Sequence, residues 1–546
     1  MVGIGRRPGS RTNTHAPTSP APMEHGELPD TGDDDWRIDD YDHVPRLSND
    51  CYDAIAVCFA SVNQDNGFYQ SFTTKPLPSQ ELMNSFIQVY FEAFQPILPL
   101  LHQPTFDPDQ CHWLLVLAVA TTGCRFSQQS LGVTRLMDNL LRRAVQLNIE
   151  RNFRTSSSLW LAQSALLSQI CMMWSGETML TDMAHANMAM VATLCRRGNA
   201  FVDADVGNVS LSEGNWDCWV EAESKRRLAY CAWVLDTQQL MFFDLPPQIP
   251  NDLLQTRMPC HKQFWEAQSQ RQWSELLEET GNAAALHHPG RLVQELSRIY
   301  RLKRSPDGLG DFHFLLLSMG IYRDAQRVET ASAYLDILRP EDPSALLQTQ
   351  MGRLAIQHNH FLAFLLRVNL RELFAFSGWR INDAEREKSC SRLKRWMKQR
   401  GPEARCAVLH AAKALSYLRE YPTNGYHKSQ CTLHSTLLIW AYIDCSTPND
   451  IESTGDDEVG DARAITLRLD KCSIKESLVE TWLQNGGRIR PYLPSVGSLQ
   501  EKGANGRLIK ETARLLASDE SWPLSHTVRF LLLGHFRSKV GCAKGP

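Results

Sequence analysis

The segment ESKRRLAYCAWVLDTQQLMFFDLPPQIP, Glu223–Pro250, decides how the chain is read. Glu223 stands three and four residues before Arg226 and Arg227, the spacing at which a carboxylate and a guanidinium meet across one helical turn. Behind them Leu228, Ala229, Cys231, Ala232, Val234 and Leu235 are apolar nearly all the way round, which predicts a helix buried among other helices. Asp236 lies further along the same element. Pro246 and Pro247 cannot continue a helix and push the preceding residue toward extended backbone, so the helix is expected to end near Asp244. A carboxylate with two arginines at the start of a buried helix orients its neighbours; no nucleophile stands with it for acid–base chemistry.

Outward from this segment the same periodicity recurs. MNSFIQVYFEAFQ, Met83–Gln95, places Phe86, Val89, Tyr90, Ala93 and Phe94 on one broad face. Helical patterns also cover roughly 111–122, 136–147, 159–174, 182–196, 264–279, 291–301, 312–338, 345–376, 404–419, 434–442, 474–483 and 508–516. Alternation of the kind a strand needs is scarce. The predicted fold is all-α: a large, irregular multi-helix domain over residues 81–340, with a helical continuation over 341–546 that carries a polar, acidic loop at 446–462. Residues 1–80 read as a disordered arm, rich at first in Pro, Ser, Thr, Gly and Arg. Within it DDDWRIDDYDHV, Asp33–Val44, sets Trp36, Ile38, Tyr41 and Val44 among aspartates; this is either an acidic linker or a segment presenting hydrophobes to a partner.

Composition bounds the function. Of 546 residues, 43% are hydrophobic and 22% charged, enough apolar content for a folded core, and the net charge of −4 carries no global signature of a nucleic-acid binder. The longest apolar run, Trp113–Ala120, is too short to span a bilayer, and no apolar stretch follows the N-terminal arginines as in a secretory signal. The 15 cysteines come no closer together than Cys51 and Cys58, so the tight CxxC pair of zinc fingers is missing and the thiols are expected to be reduced and buried.

Enzyme signatures fail on spacing. GxSxG, GxxxxGK[ST] and HExxH do not occur. GLGDFH, Gly308–His313, follows a basic, proline-containing stretch and not a strand, so it reads as a turn. His358 and His360, two apart, point away from each other on a helix; His287 and His288 precede a proline in a loop. Cys260 and His261 are adjacent, but adjacency in sequence is not the geometry a thiol nucleophile needs. Two basic clusters, one with Arg301, Lys303 and Arg304 and one with Lys394 and Arg395, read either as import or phosphate-contact sites or as solvated helix faces.

The segment at Glu223–Pro250 resembles the most recognisable part of the fungal-specific transcription factor domain, the middle homology region of fungal zinc-dependent regulators. YFEAFQPILPLLHQPTF, Tyr90–Phe106, is similar to that family's opening segment, and MPCHKQFWEAQ, Met258–Gln268, to the one after the proline pair. The resemblance marks Glu223, Arg226, Arg227, Asp236, Pro246 and Pro247 as structural signature residues, with no catalytic, cofactor or metal residue. It implies a transcription regulator in the nucleus, controlling a fungal pathway, with secondary metabolism as the family's habit. Its expected partners are DNA, directly or through a partner, other regulators, a small effector or a second copy of the chain. The family's DNA-binding module, a pair of two-cysteine, two-histidine fingers or a six-cysteine cluster, has no counterpart in this sequence, so zinc is expected only with a finger module outside it. Two alternatives stay open: an interaction protein that bridges or sequesters regulators, and an α-helical enzyme whose site is assembled from distant residues.

Overall fold

The computed structural model describes residues 42–65, 70–127, 129–152, 158–203, 216–280, 290–326, 333–340, 342–378, 381–423, 425–445, 465–486, 489–517 and 521–542. Its helices are α1 (Asn49–Val62), α2 (Gln80–Val89), α3 (Trp113–Cys124), α4 (Leu131–Asn152), α5 (Leu159–Met173), α6 (Thr178–Arg197) and α7 (Trp216–Phe243). They continue with α8 (Lys262–Trp265), α9 (Gln270–Thr280), α10 (Leu292–Leu302), α11 (Asp311–Ala325), α12 (Ala333–Leu338), α13 (Ser344–Leu347) and α14 (Gln350–Leu365). The series ends with α15 (Leu370–Ser377), α16 (Asp383–Gln399), α17 (Gly401–Glu420), α18 (Lys428–Cys445), α19 (Ser477–Asn485), α20 (Ala504–Ala517) and α21 (Pro523–Cys542). The fold is all-α in class. Its one described sheet is small: β1 (Ile465–Arg468) runs parallel to β2 (Ile489–Leu493) after the crossover helix α19, and β2 pairs antiparallel with β3 (Gly497–Ser498).

Why α7 is central follows from its side chains. From Leu228 to Leu235 every residue is buried, with Tyr230 and Trp233 fully enclosed, so this helix is surrounded by α5, α6 and α11. It ends at Phe243, and Asp244 adopts a left-handed φ of 55° that turns the chain into the extended Leu245–Pro247, as the two prolines predict. On one side α3 packs on α2, α4 and α5; on the other α11, α14, α17, α18, α20 and α21 pack in succession. Arg125, buried after α3, joins distant parts of the body: it donates to Asp138 (2.6 Å) and to the Cys171 carbonyl (2.8 Å) and lies 4.7 Å over the Trp522 ring.

Three boundaries differ from expectation. Structure begins well before residue 80: Ser48 caps α1, whose Cys51, Ile55 and Cys58 face the core. The Gln88 side chain clamps the backbone of Val44, accepting from its N–H at 3.2 Å and donating to its carbonyl at 3.0 Å. Val44 is therefore buried and not presented to a partner; Trp36, Ile38 and Tyr41 of the same acidic stretch lie outside the described residues. No division falls at residue 340, because α11 packs on α14 across it and Tyr41–Pro546 is one compact unit. The continuous pattern over 345–376 is also broken: α14 stops at Leu365, and Asn369 caps α15 by accepting from the Arg371 N–H. The acidic loop at 446–462 lies outside the described residues, as do His287 and His288.

Candidate functional site

Three segments far apart in sequence meet at the first turns of α7. Glu223 is fully buried, and its carboxylate accepts hydrogen bonds from Arg226, from Arg227 Nε (2.9 Å) and from the backbone N–H of Cys260 (2.9 Å). Arg227 in turn donates to the Cys260 carbonyl (3.0 Å) and the Pro99 carbonyl (3.4 Å), and its guanidinium stacks 4.3 Å over the Trp265 ring. The expected i,i+3 and i,i+4 ion pairs thus form, and they also fasten the prolines of Tyr90–Phe106 and the Cys260 turn to the same helix. Arg226 reaches Asp203 at 3.4 Å, and Asp203 also accepts from the Thr256 hydroxyl (2.7 Å) and the Arg257 N–H (3.1 Å). Burial opposes the charge of Arg226, but Glu223 and then Asp203 outweigh it and raise the guanidinium pKa. Burial likewise opposes the Asp203 carboxylate, yet the bonds from Thr256 and Arg257 and the charge of Arg226 hold it below the usual range.

Asp236 forms a second node of the same kind. Its carboxylate accepts from the backbone N–H groups of Gln248 (2.8 Å) and Ile249 (2.9 Å) and from Arg323 Nη2 (2.5 Å), while Arg323 also donates to the Ile249 carbonyl and stacks 5.1 Å from the Trp233 ring. The chain after Pro246 and Pro247 is thereby pinned to both α7 and α11, the prolines themselves lying exposed at the bend. Next to it Asn251 accepts from the Trp233 indole (3.2 Å) and donates to Asp324 (3.0 Å), whose other oxygen takes the Tyr300 hydroxyl (2.8 Å). Arg323 and Asp203 were not among the expected residues. Arg323 had a signal, a lone cation inside the apolar run of α11; Asp203 had none.

Beside the Glu223 node lies a compact aromatic cluster of Trp216, Trp219, Phe264, Trp265 and Trp273. His102, from the segment LHQPTF, sets its ring 4.7 Å from Trp265 and 5.4 Å from Trp216, and its Nδ1 is 2.8 Å from the Thr105 hydroxyl. Burial and then the charge of Arg227 lower its pKa to about 4, so it stands neutral at physiological pH.

This arrangement orients backbone and holds no reactive group poised for chemistry. The Cys260 thiol is buried, and burial followed by the charge of Glu223 pushes it well above the ordinary range, the reverse of an activated nucleophile. Its neighbour His261 turns to the His313 ring, 5.0 Å away. Gly308 takes a left-handed φ of 68° and Gly310 precedes α11, so GLGDFH is a turn into a helix. His358 and His360 do part company: His358 meets the His427 ring at 4.2 Å, and His360 faces His410 with Nδ1 atoms 3.0 Å apart. Cys51 and Cys58 sit on the core-facing side of α1, burial raising both thiols to about 11, which fits core packing and not thiolate ligation. Among the described residues no three His, Cys, Asp or Glu side chains gather as metal ligands, and no helix is long and apolar enough to cross a membrane.

The two basic clusters stand apart from these nodes in the chain. Arg301, Lys303 and Arg304 are exposed where α10 ends, Lys303 taking a left-handed φ of 50°, and Lys394 and Arg395 are exposed on α16.

Comparison with known proteins follows the same geometry. The family model described as the fungal specific transcription factor domain matches residues 87–324, which spans the Pro99 contact, both carboxylate nodes and the Cys260 turn. A transcription factor of Gibberella fujikuroi is 35% identical over 513 residues, covering 93% of this chain and 66% of that protein. Transcription factor PfmaH of Pestalotiopsis fici is 22% identical, covering 67% of this chain and 43% of its own length. A nicotinate catabolism cluster-specific transcription factor of Emericella nidulans is also 22% identical, over 67% and 48% respectively. The chain therefore spans only part of the length of each of these relatives. No solved structure shows significant similarity to it. With its three signature segments joined at one buried network and its similarity running through that network, the chain belongs, through residues 87–324, to the family of the fungal-specific transcription factor domain.

Proposed function

We propose that the chain is the regulatory body of a fungal transcription regulator, acting in the nucleus and coupled to a DNA-binding module in another part of a longer protein or in a partner. The observation that supports this most directly is the coincidence of the matched span with the Glu223 and Asp236 networks, whose buried charges fix backbone positions instead of doing chemistry. Relatives whose names include a zinc finger protein of Schizosaccharomyces pombe support placing zinc with the DNA-binding module. By the same analogy the target is a metabolic gene cluster, as the name of the Emericella nidulans relative states for that protein. The exposed clusters at Arg301, Lys303 and Arg304 and at Lys394 and Arg395 are the candidate contacts for an import receptor or for phosphates. A homodimer contact and a small effector belong to the same proposal.

A tethering assay tests it. Fused to an unrelated DNA-binding domain, the 546-residue chain is expected to change expression of a reporter several-fold in a fungal host; no change in either direction rejects a regulatory body. Mobility shift of the unfused chain on promoter fragments at stated salt then separates the possibilities for DNA. Weak binding erased by added salt supports a separate module, whereas saturable, sequence-selective binding places a DNA-reading surface in this chain.

A further inference from the structure

The connection between α10 and α11 lies in RLKRSPDGLG, Arg301–Gly310, a stretch that neither carboxylate node uses. α10 stops at Leu302, where Lys303 takes left-handed backbone, and Pro306 restrains Ser305 before it to extended backbone, so the helix does not resume. The far end is fastened: Leu309 packs against the core, and His313 in the first turn of α11 sets its Nε2 2.7 Å from the Pro259 carbonyl. Between these anchors the chain runs over the surface. Arg301, Lys303, Arg304, Asp307 and Gly308 are exposed, and a Cβ on Gly308 would meet nothing within 4 Å. Ser305 is half-buried among them, its hydroxyl donating only a long 3.5 Å bond to the Pro306 carbonyl. Arg301, Lys303 and Arg304 form no ion pair with a described residue, whereas Arg298 just before them faces Glu295 at 3.9 Å. Three cations thus crowd one hydroxyl, with Asp307 as the carboxylate beside it in the chain. Ser305–Pro306 is also the one Ser–Pro or Thr–Pro pair among the described residues; Ser19–Pro20 and Thr447–Pro448 lie outside them.

We propose that Ser305 is a phosphorylation site for a proline-directed protein kinase, and that the phosphate cancels the positive charge of the cluster at Arg301, Lys303 and Arg304. The Ser305 hydroxyl oxygen attacks the γ-phosphorus of a nucleoside triphosphate, forming an O–P bond as the bond from that phosphorus to the bridging oxygen breaks. The nucleoside diphosphate leaves with the electron pair, and the hydroxyl proton passes to the kinase's base. Such an enzyme needs its substrate chain extended and accessible, which is what Pro306 and the exposed connection provide. The phosphoserine carries about −1.5 to −2 charges at pH 7, so together with Asp307 it brings the three cations close to neutrality. The loss of anion contacts that follows rests on the proposed role of this cluster as a phosphate contact.

The folded 546-residue chain, incubated with a proline-directed protein kinase, magnesium and ATP, is the material for the test. Peptide mapping is expected to place phosphate on Ser305 and to lose it in Ser305→Ala, which keeps the parental thermal midpoint because the hydroxyl holds nothing else in the fold. The parent map needs no variant to fold. Phosphate on Ser19 or Thr447 with none on Ser305, or on Ser305 only in unfolded chain, overturns the site. Binding of a DNA duplex of unrelated sequence is then titrated against salt. Relative to kinase-treated Ser305→Ala, the phosphorylated parent should show a slope of log affinity on log salt smaller by about 1–2, the loss of one or two phosphate contacts. An unphosphorylated Lys303→Gln, Arg304→Gln double variant separates the two readings. If it keeps the parental slope, the phosphate-contact role is what fails; if it loses slope and phosphorylation does not, charge cancellation at Ser305 is overturned.

Discussion

At the scale of single residues, Glu223 shows how a buried charge specifies a fold. Two guanidinium groups and one amide N–H converge on its carboxylate, so removing it leaves Arg226 and Arg227 charged and buried without this counter-ion. Glu223→Ala should therefore lower the unfolding free energy by about 3–5 kcal/mol, read from denaturant titration. A loss below about 1 kcal/mol, the size of a surface ion pair, would mean the network is solvated. Asp236 differs in what it holds, two loop N–H groups and Arg323. Asp236→Asn turns an amide N–H toward donors that need an acceptor and should cost about 2–3 kcal/mol, with faster proteolysis at Pro246–Arg257. If cleavage of that segment keeps its parental rate, Asp236 is not what pins it. The helical half of the Glu223 node was legible, because spacing alone brings i+3 and i+4 partners together. Its other half was not: Cys260 is 37 residues away, and its contribution is a backbone N–H that every residue type except proline carries.

At the scale of elements, α2 and α3 cross so closely that a Cβ on Gly123 would overlap the Phe86 carbonyl oxygen. Helix propensity favours Gly→Ala by about 1 kcal/mol, whereas the clash is with backbone that cannot rotate away. Packing should win, so Gly123→Ala is expected to destabilise by about 2 kcal/mol or more. Gly534, on α21, has open space where a Cβ would stand and provides the control: Gly534→Ala should stabilise slightly or be neutral. Thermal midpoints moving the same way in both variants would refute the close crossing. Long helices with one dominant period were legible because burial repeats at every turn. The gap between α14 and α15 was hidden since apolar residues continue through it, and the break is set by the Asn369 cap. The sheet was hidden for another reason: strands of four, five and two residues are too short for alternation to register.

For the whole molecule, the largest departure from ordinary sequence expectation is an interior rich in histidine. His358 and His434 are fully buried in the packing of α14 and α18, and burial lowers each to about 4; His360, His410 and His427 shift in the same direction, burial first. Around them stand the His427 ring and the Leu354 carbonyl for His358, and Phe242, Phe361 and Phe374 for His434. A histidine whose folded pKa lies below its unfolded value of about 6.5 leaves the unfolded chain binding more protons between the two values. Stability is therefore complete above about pH 6.5 and falls as the pH drops toward 4, by about 2 kcal/mol for each of these two residues at pH 5. Asp203 acts in a lower window, since a depressed carboxylate loses its contribution only below the ordinary carboxylate range near pH 4. Denaturant midpoints at pH 7.5 and pH 5 should thus differ widely in the parent chain and less in His358→Gln and His434→Gln, each compared with itself at the two pH values. A parental difference preserved in both variants would mean that His358 and His434 do not carry it, and would leave the acid sensitivity between these pH values to His102, His360, His410 and His427, which burial shifts in the same direction.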